Sequence, residues 1–107
     1  MASASEIQRY CDAIARIFSP EKIILFGSHA YGKPHRDSDV DVLVVMQHAK
    51  CFGRRPSLAI RRQISAGFPV DIVVKESREF RRRLREGDSF LSEVTEKGRV
   101  MYEASHA

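Results

Sequence analysis

The sequence predicts an α+β fold, a small mixed β-sheet flanked by helices. Three short apolar runs rich in β-branched residues, at 23–26, 40–45 and 70–74, read as strands. Segments with helical spacing or capping signals separate them. No internal repeat or low-complexity linker interrupts the alternation, so 1–107 is expected to form one domain around one sheet.

The elements follow in order. Ser5, with Gln8 three residues on, forms a capping-box pattern, and Ile7, Tyr10, Cys11, Ile14, Ile17 and Phe18 recur at helical spacing. A helix over 6–18 is predicted, stopped by Ser19-Pro20. Residues 23–26 are apolar and run into glycine, which suits a buried strand. Residues 40–45 give the second strand, 46–56 read as a loop, and Ser57 is placed as the cap of a helix ending near Gly67. A third strand spans 70–74. Ser77 begins a helix closed by Gly87, Asp88 or Ser89 begins another closed by Gly98, and 100–102 form a last short strand.

Composition narrows the class. No run approaches the roughly 18 apolar residues of a membrane span, and the opening MASASEIQRY has no signal-peptide apolar region. A cytoplasmic protein without a membrane anchor is therefore expected. Cys11 and Cys51 lack metal-ligand spacing and read as reduced thiols, Cys11 in the core. A formal charge of +4 is compatible with nucleotides, nucleic acid or an acidic partner, and selects none of them.

The first candidate site is Gly27-Ser-His-Ala-Tyr-Gly32-Lys33-Pro34, which fits a phosphate-binding P-loop at all but its last position. Pro34 stands where that motif needs a hydroxyl for Mg²⁺. No helical periodicity follows, and the nearest acids open the next strand instead of ending it. The stretch from Asp37 to Asp41 likewise fails as a calcium loop, because Val42 replaces the required glycine and His48 the required glutamate.

The carboxylates fit another pattern. Asp39 and Asp41 are two apart at a strand start, so their side chains leave one face while Val40, Val42 and Val44 enter the core. Asp71 sits likewise between Val70 and Ile72. If these strands pair, three carboxylates converge, a repulsive arrangement that divalent cations relieve. Two metals so held can activate a hydroxyl and neutralise a leaving phosphate. The Gly27-Ser28 turn offers backbone amides and a hydroxyl as a phosphate seat. On residues alone, solvated turn aspartates remain an open alternative.

Gly27-Ser28, ten residues, then Asp39-x-Asp41 resembles the signature of the DNA polymerase β-like nucleotidyltransferase superfamily. Within it, Phe26-Gly27-Ser28-x-Ala30-x-Gly32 and Ser38 to Val44 are similar to the minimal nucleotidyltransferases, small prokaryotic proteins. The central motif covers about a fifth of the chain, and the weaker likeness extends to Val70-Asp71-Ile72-Val73 and to Gly98…Met101-Tyr102-Glu103. The resemblance implies the polymerase β-like fold and transfer of a nucleoside monophosphate, AMP from ATP, with pyrophosphate released. It implies that Asp39 and Asp41 hold Mg²⁺, two ions in all, with Asp71 completing the metal site and helping to deprotonate the acceptor. Gly27 and Ser28 would hold the β- and γ-phosphates. Many such proteins are antitoxins of a HEPN ribonuclease toxin, and some attach AMP to a toxin tyrosine, so a HEPN-type partner is implied.

The chain departs from that pattern at His29 and Tyr31, where relatives often carry arginine. Lys33, His35 or Arg36 are the cations in reach of that role. The departure motivates a second reading, a binding antitoxin that neutralises its partner by complex formation, with homo- or hetero-oligomers possible in either case. Arg78, Arg81, Arg82, Arg83 and Arg85 crowd one helix, read as a solvated face. No aromatics interleave with them, so direct nucleic-acid binding is not expected. His48 and His106 are expected at the surface, and Phe68, Phe80, Phe90 and Tyr102 in the core. Tyr10 and Tyr31 are possible acceptors of a self-added nucleotide.

Overall fold

A computed structural model describes residues 2–32, 34 and 38–105. The elements run α1 (Ala4–Phe18), β1 (Lys22–Phe26), α2 (Ser28–Tyr31), β2 (Val40–Met46), a 3₁₀ helix (Ala49–Phe52), α3 (Pro56–Gln63), β3 (Val70–Glu76), α4 (Ser77–Arg85), α5 (Ser89–Lys97) and β4 (Arg99–Glu103). The four strands form one mixed sheet in the order β3-β2-β1-β4. β1 is antiparallel to β2 and β4, whereas β2 and β3 run parallel.

Helices cover both faces of the central strands. On one face Ile23, Leu25, Val40, Val42, Val44 and Ile72 pack against α1 and Ile60 of α3. On the other, Ile24, Leu43 and Val45 pack against Phe80 of α4 and Leu91 and Val94 of α5. Burial on both sides explains the unbroken apolar runs of β1 and β2. Cys11 is fully buried, and burial pushes its thiol pKa up to about 12; Cys51 is exposed.

Several local expectations shift. Ser3, not Ser5, caps α1: its Oγ accepts from Glu6 N at 3.1 Å, and Glu6 Oε1 accepts from Ser3 N at 2.9 Å. The box sits two residues earlier because Ser3 has the extended backbone a cap requires, while Ser5 is already helical. The 46–56 loop contains the 3₁₀ helix, which Phe52 anchors edge-on against Phe18. Pro56 takes the first turn of α3, where its missing N–H costs nothing, so Ser57 is not the cap. Ser77 lies inside α4 behind Glu76, and Asp88 caps α5 by accepting from Leu91 N at 2.9 Å.

Among the aromatic residues, Phe80 is buried, Phe68 and Tyr102 are half-buried, and Phe90 is exposed. Tyr10 is buried and Tyr31 exposed, so of the two only Tyr31 presents a hydroxyl-bearing ring to solvent. His48 is exposed as expected, and His106 lies outside the described residues. No helix among the described residues is long and apolar enough to cross a membrane.

Candidate active site

The sheet register brings the three aspartates to one rim. Asp41, second residue of β2, pairs directly with Asp71, second residue of β3. Across its other edge it pairs with Phe26, the last residue of β1. Strand alternation sends Asp41 to the same face as Leu43 and Val45, the face that α4 and α5 cover further along. Asp39, one residue before β2, is exposed at the same end. The aspartates' face is therefore the one whose later residues build the second core, with Asp39 and Asp71 exposed at its rim.

Electrostatics reflects that crowding. Partial burial raises the Asp41 pKa above the ordinary aspartate value, and Asp71 and Asp39 raise it further; His29 pulls the other way. Nε2 of His29 lies 3.3 Å from the Ser38 carbonyl, which it can meet only as donor, so this contact places a proton on Nε2. Asp71 is more open, its side chain 64% exposed, with Arg61 Nη2 at 4.0 Å. The same guanidinium donates to the Val70 carbonyl at 2.7 Å and so ties α3 to the start of β3. Nothing in the sequence pointed to Arg61, because its helix carries only a weak apolar pattern.

Gly27 makes the close approach possible. Its backbone, φ 76° and ψ −161°, lies in a region open essentially to glycine alone. A Cβ there would also collide with Oδ2 of Asp41. The following turn is a single one, with Ala30 N and Tyr31 N donating to the Gly27 carbonyl at 3.0 and 3.2 Å. The N–H groups of Ser28 and His29 precede this ladder, as first-turn donors do. Lys33 and Arg36, the remaining predicted phosphate ligands, lie outside the described residues.

Among the described residues no group of three His, Cys, Asp or Glu side chains stands close enough to hold a metal ion as it is. The aspartates are neighbours on one rim, not a closed ligand set. Their chemistry still fits a divalent cation: oxygen donors only, burial and neighbouring carboxylates that both raise Asp41, and a glycine whose missing side chain lets the Asp41 carboxylate lie against the turn.

The site thus sets a carboxylate rim beside a glycine-started turn at the end of a mixed sheet. The chain belongs to the nucleotidyltransferase domain family, whose model matches residues 7–101. It is 33% identical over 82 residues to the candidate protein adenylyltransferase MJ0604 of Methanocaldococcus jannaschii, covering 77% of this chain and 78% of that protein. Among solved structures it is similar to a candidate nucleotidyltransferase from Sulfolobus solfataricus, with a TM-score of 0.63 and 22% identity over 92% of this chain and 78% of that one. A toxin–antitoxin with AMP-PNP follows, with a TM-score of 0.60 and 21% identity, covering 92% of this chain and 74% of that one. A doubly substituted MntA–HpeT toxin–antitoxin covers the same shares, with a TM-score of 0.59 and 19% identity. These structural likenesses concern the fold.

Proposed function

We propose that the chain is a Mg²⁺-dependent nucleotidyltransferase that moves AMP from ATP onto a hydroxyl of a partner protein. The observation that carries this reading is the pairing of Asp41 with Asp71 beside Gly27, with Asp41 held above its ordinary pKa by burial first and by Asp71 and Asp39 beside it. In this reading Asp39, Asp41 and Asp71 hold the metal, two ions in all, while Gly27, Ser28, Lys33 and Arg36 bind the β- and γ-phosphates. Bound Mg²⁺ would supply charge neutralisation on the phosphates and a more acidic acceptor hydroxyl. The acceptor oxygen attacks the α-phosphorus, the bond to the bridging oxygen breaks, pyrophosphate leaves, and Asp71 helps remove the hydroxyl proton.

The name of the archaeal relative supports a protein acceptor, and the toxin–antitoxin neighbours support a toxin as that partner. A HEPN-type toxin, modified on a tyrosine, is the partner we propose, in the cytoplasm where ATP and Mg²⁺ are available. Incubation with α-labelled ATP, Mg²⁺ and the partner should label the partner, and Asp39→Ala should abolish the label. Absence of transfer from any of the four NTPs would refute the reading.

One observation favours a second reading, an antitoxin acting by complex formation alone. His29 and Tyr31 stand where relatives often carry arginine, and the His29 ring is turned to the Ser38 carbonyl. Neutralisation of the partner by the Asp39→Ala/Asp41→Ala double variant would support it. Loss of neutralisation while the complex persists would eliminate it.

A further inference from the structure

Phe26 ends β1 directly across from Asp41. Residues so paired share a sheet face, with Cβ atoms about 4.5–5.5 Å apart, which puts this ring against the carboxylate rim. Phe26 is half-buried, and Phe90 meets it edge to face, with ring centroids 5.4 Å apart and planes at 85°. Phe90 itself is 41% exposed, although Leu91 and Val94 of the same helix are buried in the second core. The two rings form an apolar ledge at the β1 end of the rim, and core packing accounts for only part of it.

We propose that Phe26 and Phe90 form the subsite for the nucleobase of the NTP, with the base stacked on Phe90. This rests on the nucleotidyl-transfer reading and extends it to substrate specificity. The layout favours the base over the acceptor. Gly27 follows Phe26 directly, so ledge and phosphate seat lie together at the β1 end. Asp71 lies two strands away, roughly 9–10 Å at ordinary strand spacing. In-line displacement brings the attacking hydroxyl from the side opposite the leaving pyrophosphate, hence from β3. The nucleotide keeps the β1 side. Phenyl rings offer area but no hydrogen-bond partner to a base edge, so the subsite reads ring size more than base identity. Purines should bind better than pyrimidines, with adenine and guanine nearly equal.

The test is equilibrium titration of the wild-type chain and Phe90→Ala, with Mg²⁺, using non-hydrolysable ATP, GTP and CTP analogues and inorganic tripolyphosphate. The expected result is near-equal ATP and GTP affinity and weaker CTP binding in the wild type. Phe90→Ala should lose about fivefold or more for the purine analogues while tripolyphosphate binding holds. Phe90→Trp should retain purine binding, which shows that the ring face matters. Unchanged purine affinity in Phe90→Ala would overturn the subsite and leave the transfer reading standing. So would a parallel fall in tripolyphosphate binding. A wild-type chain that binds neither tripolyphosphate nor any nucleotide would overturn both.

Discussion

Asp41 stands in a crowded acidic setting at the rim. Its carboxyl is half-buried beside Asp71 and Asp39, so the folded chain holds that proton more tightly than the unfolded chain does. The sign of the pH dependence follows. Below the ordinary aspartate range the group is neutral in both states and costs nothing. As pH rises through the raised folded pKa, ionisation of Asp41 lowers stability, and the loss persists at neutral pH. Asp41→Asn should therefore melt higher than the wild type at pH 7 in EDTA, with the difference vanishing near pH 3. Solvent reaches the site, so the gain should not exceed about 1 kcal/mol. Thermal melts across that pH range check it, and equal melting temperatures at pH 7 would argue against crowding at the rim. Both carboxylates and their spacing were legible in the sequence because strand alternation has a fixed period of two. Arg61 was not, because its contact with the start of β3 depends on how α3 docks.

At the scale of elements, strands read more cleanly than helix ends. The apolar runs of β1, β2 and β3 stand out because both faces of the central strands are buried. Caps shifted by a residue or two, since capping depends on backbone angles that Ser3, Ser5 and Ser57 do not reveal by type. Phe90, expected in the core, is exposed. The buried stripe of α5 is Leu91 and Val94; Phe90, in the first turn, stands at the edge of that stripe, one position from Leu91 and one turn from Val94, and is partly in solvent. Asp88 fixes where that helix starts and hence where Phe90 sits. Asp88→Ala should lower stability by about 1 kcal/mol in a denaturant melt. An unchanged midpoint would show that the cap is dispensable.

At the scale of the whole molecule, the sheet order β3-β2-β1-β4 does the assembling. It sets Asp71, Asp41 and Phe26 side by side on three adjacent strands. That convergence was legible in the sequence only as a condition on strand pairing. The parallel register of β2 and β3 satisfies the condition. The arginine cluster of α4 makes surface ion pairs, Arg81 with Glu21 at 3.0 Å and Arg83 with Glu79 at 3.2 Å. Such exposed pairs contribute little stability individually, which agrees with a solvated face. In the proposed reading the three aspartates close around divalent ions when a nucleotide is bound. Titration of Mn²⁺ against the chain and AMP-PNP, with free Mn²⁺ read by electron paramagnetic resonance, addresses it directly. The wild-type chain should bind more Mn²⁺ than AMP-PNP alone retains, and Asp41→Asn should lose that excess. Equal Mn²⁺ binding by the wild type and Asp41→Asn would contradict it.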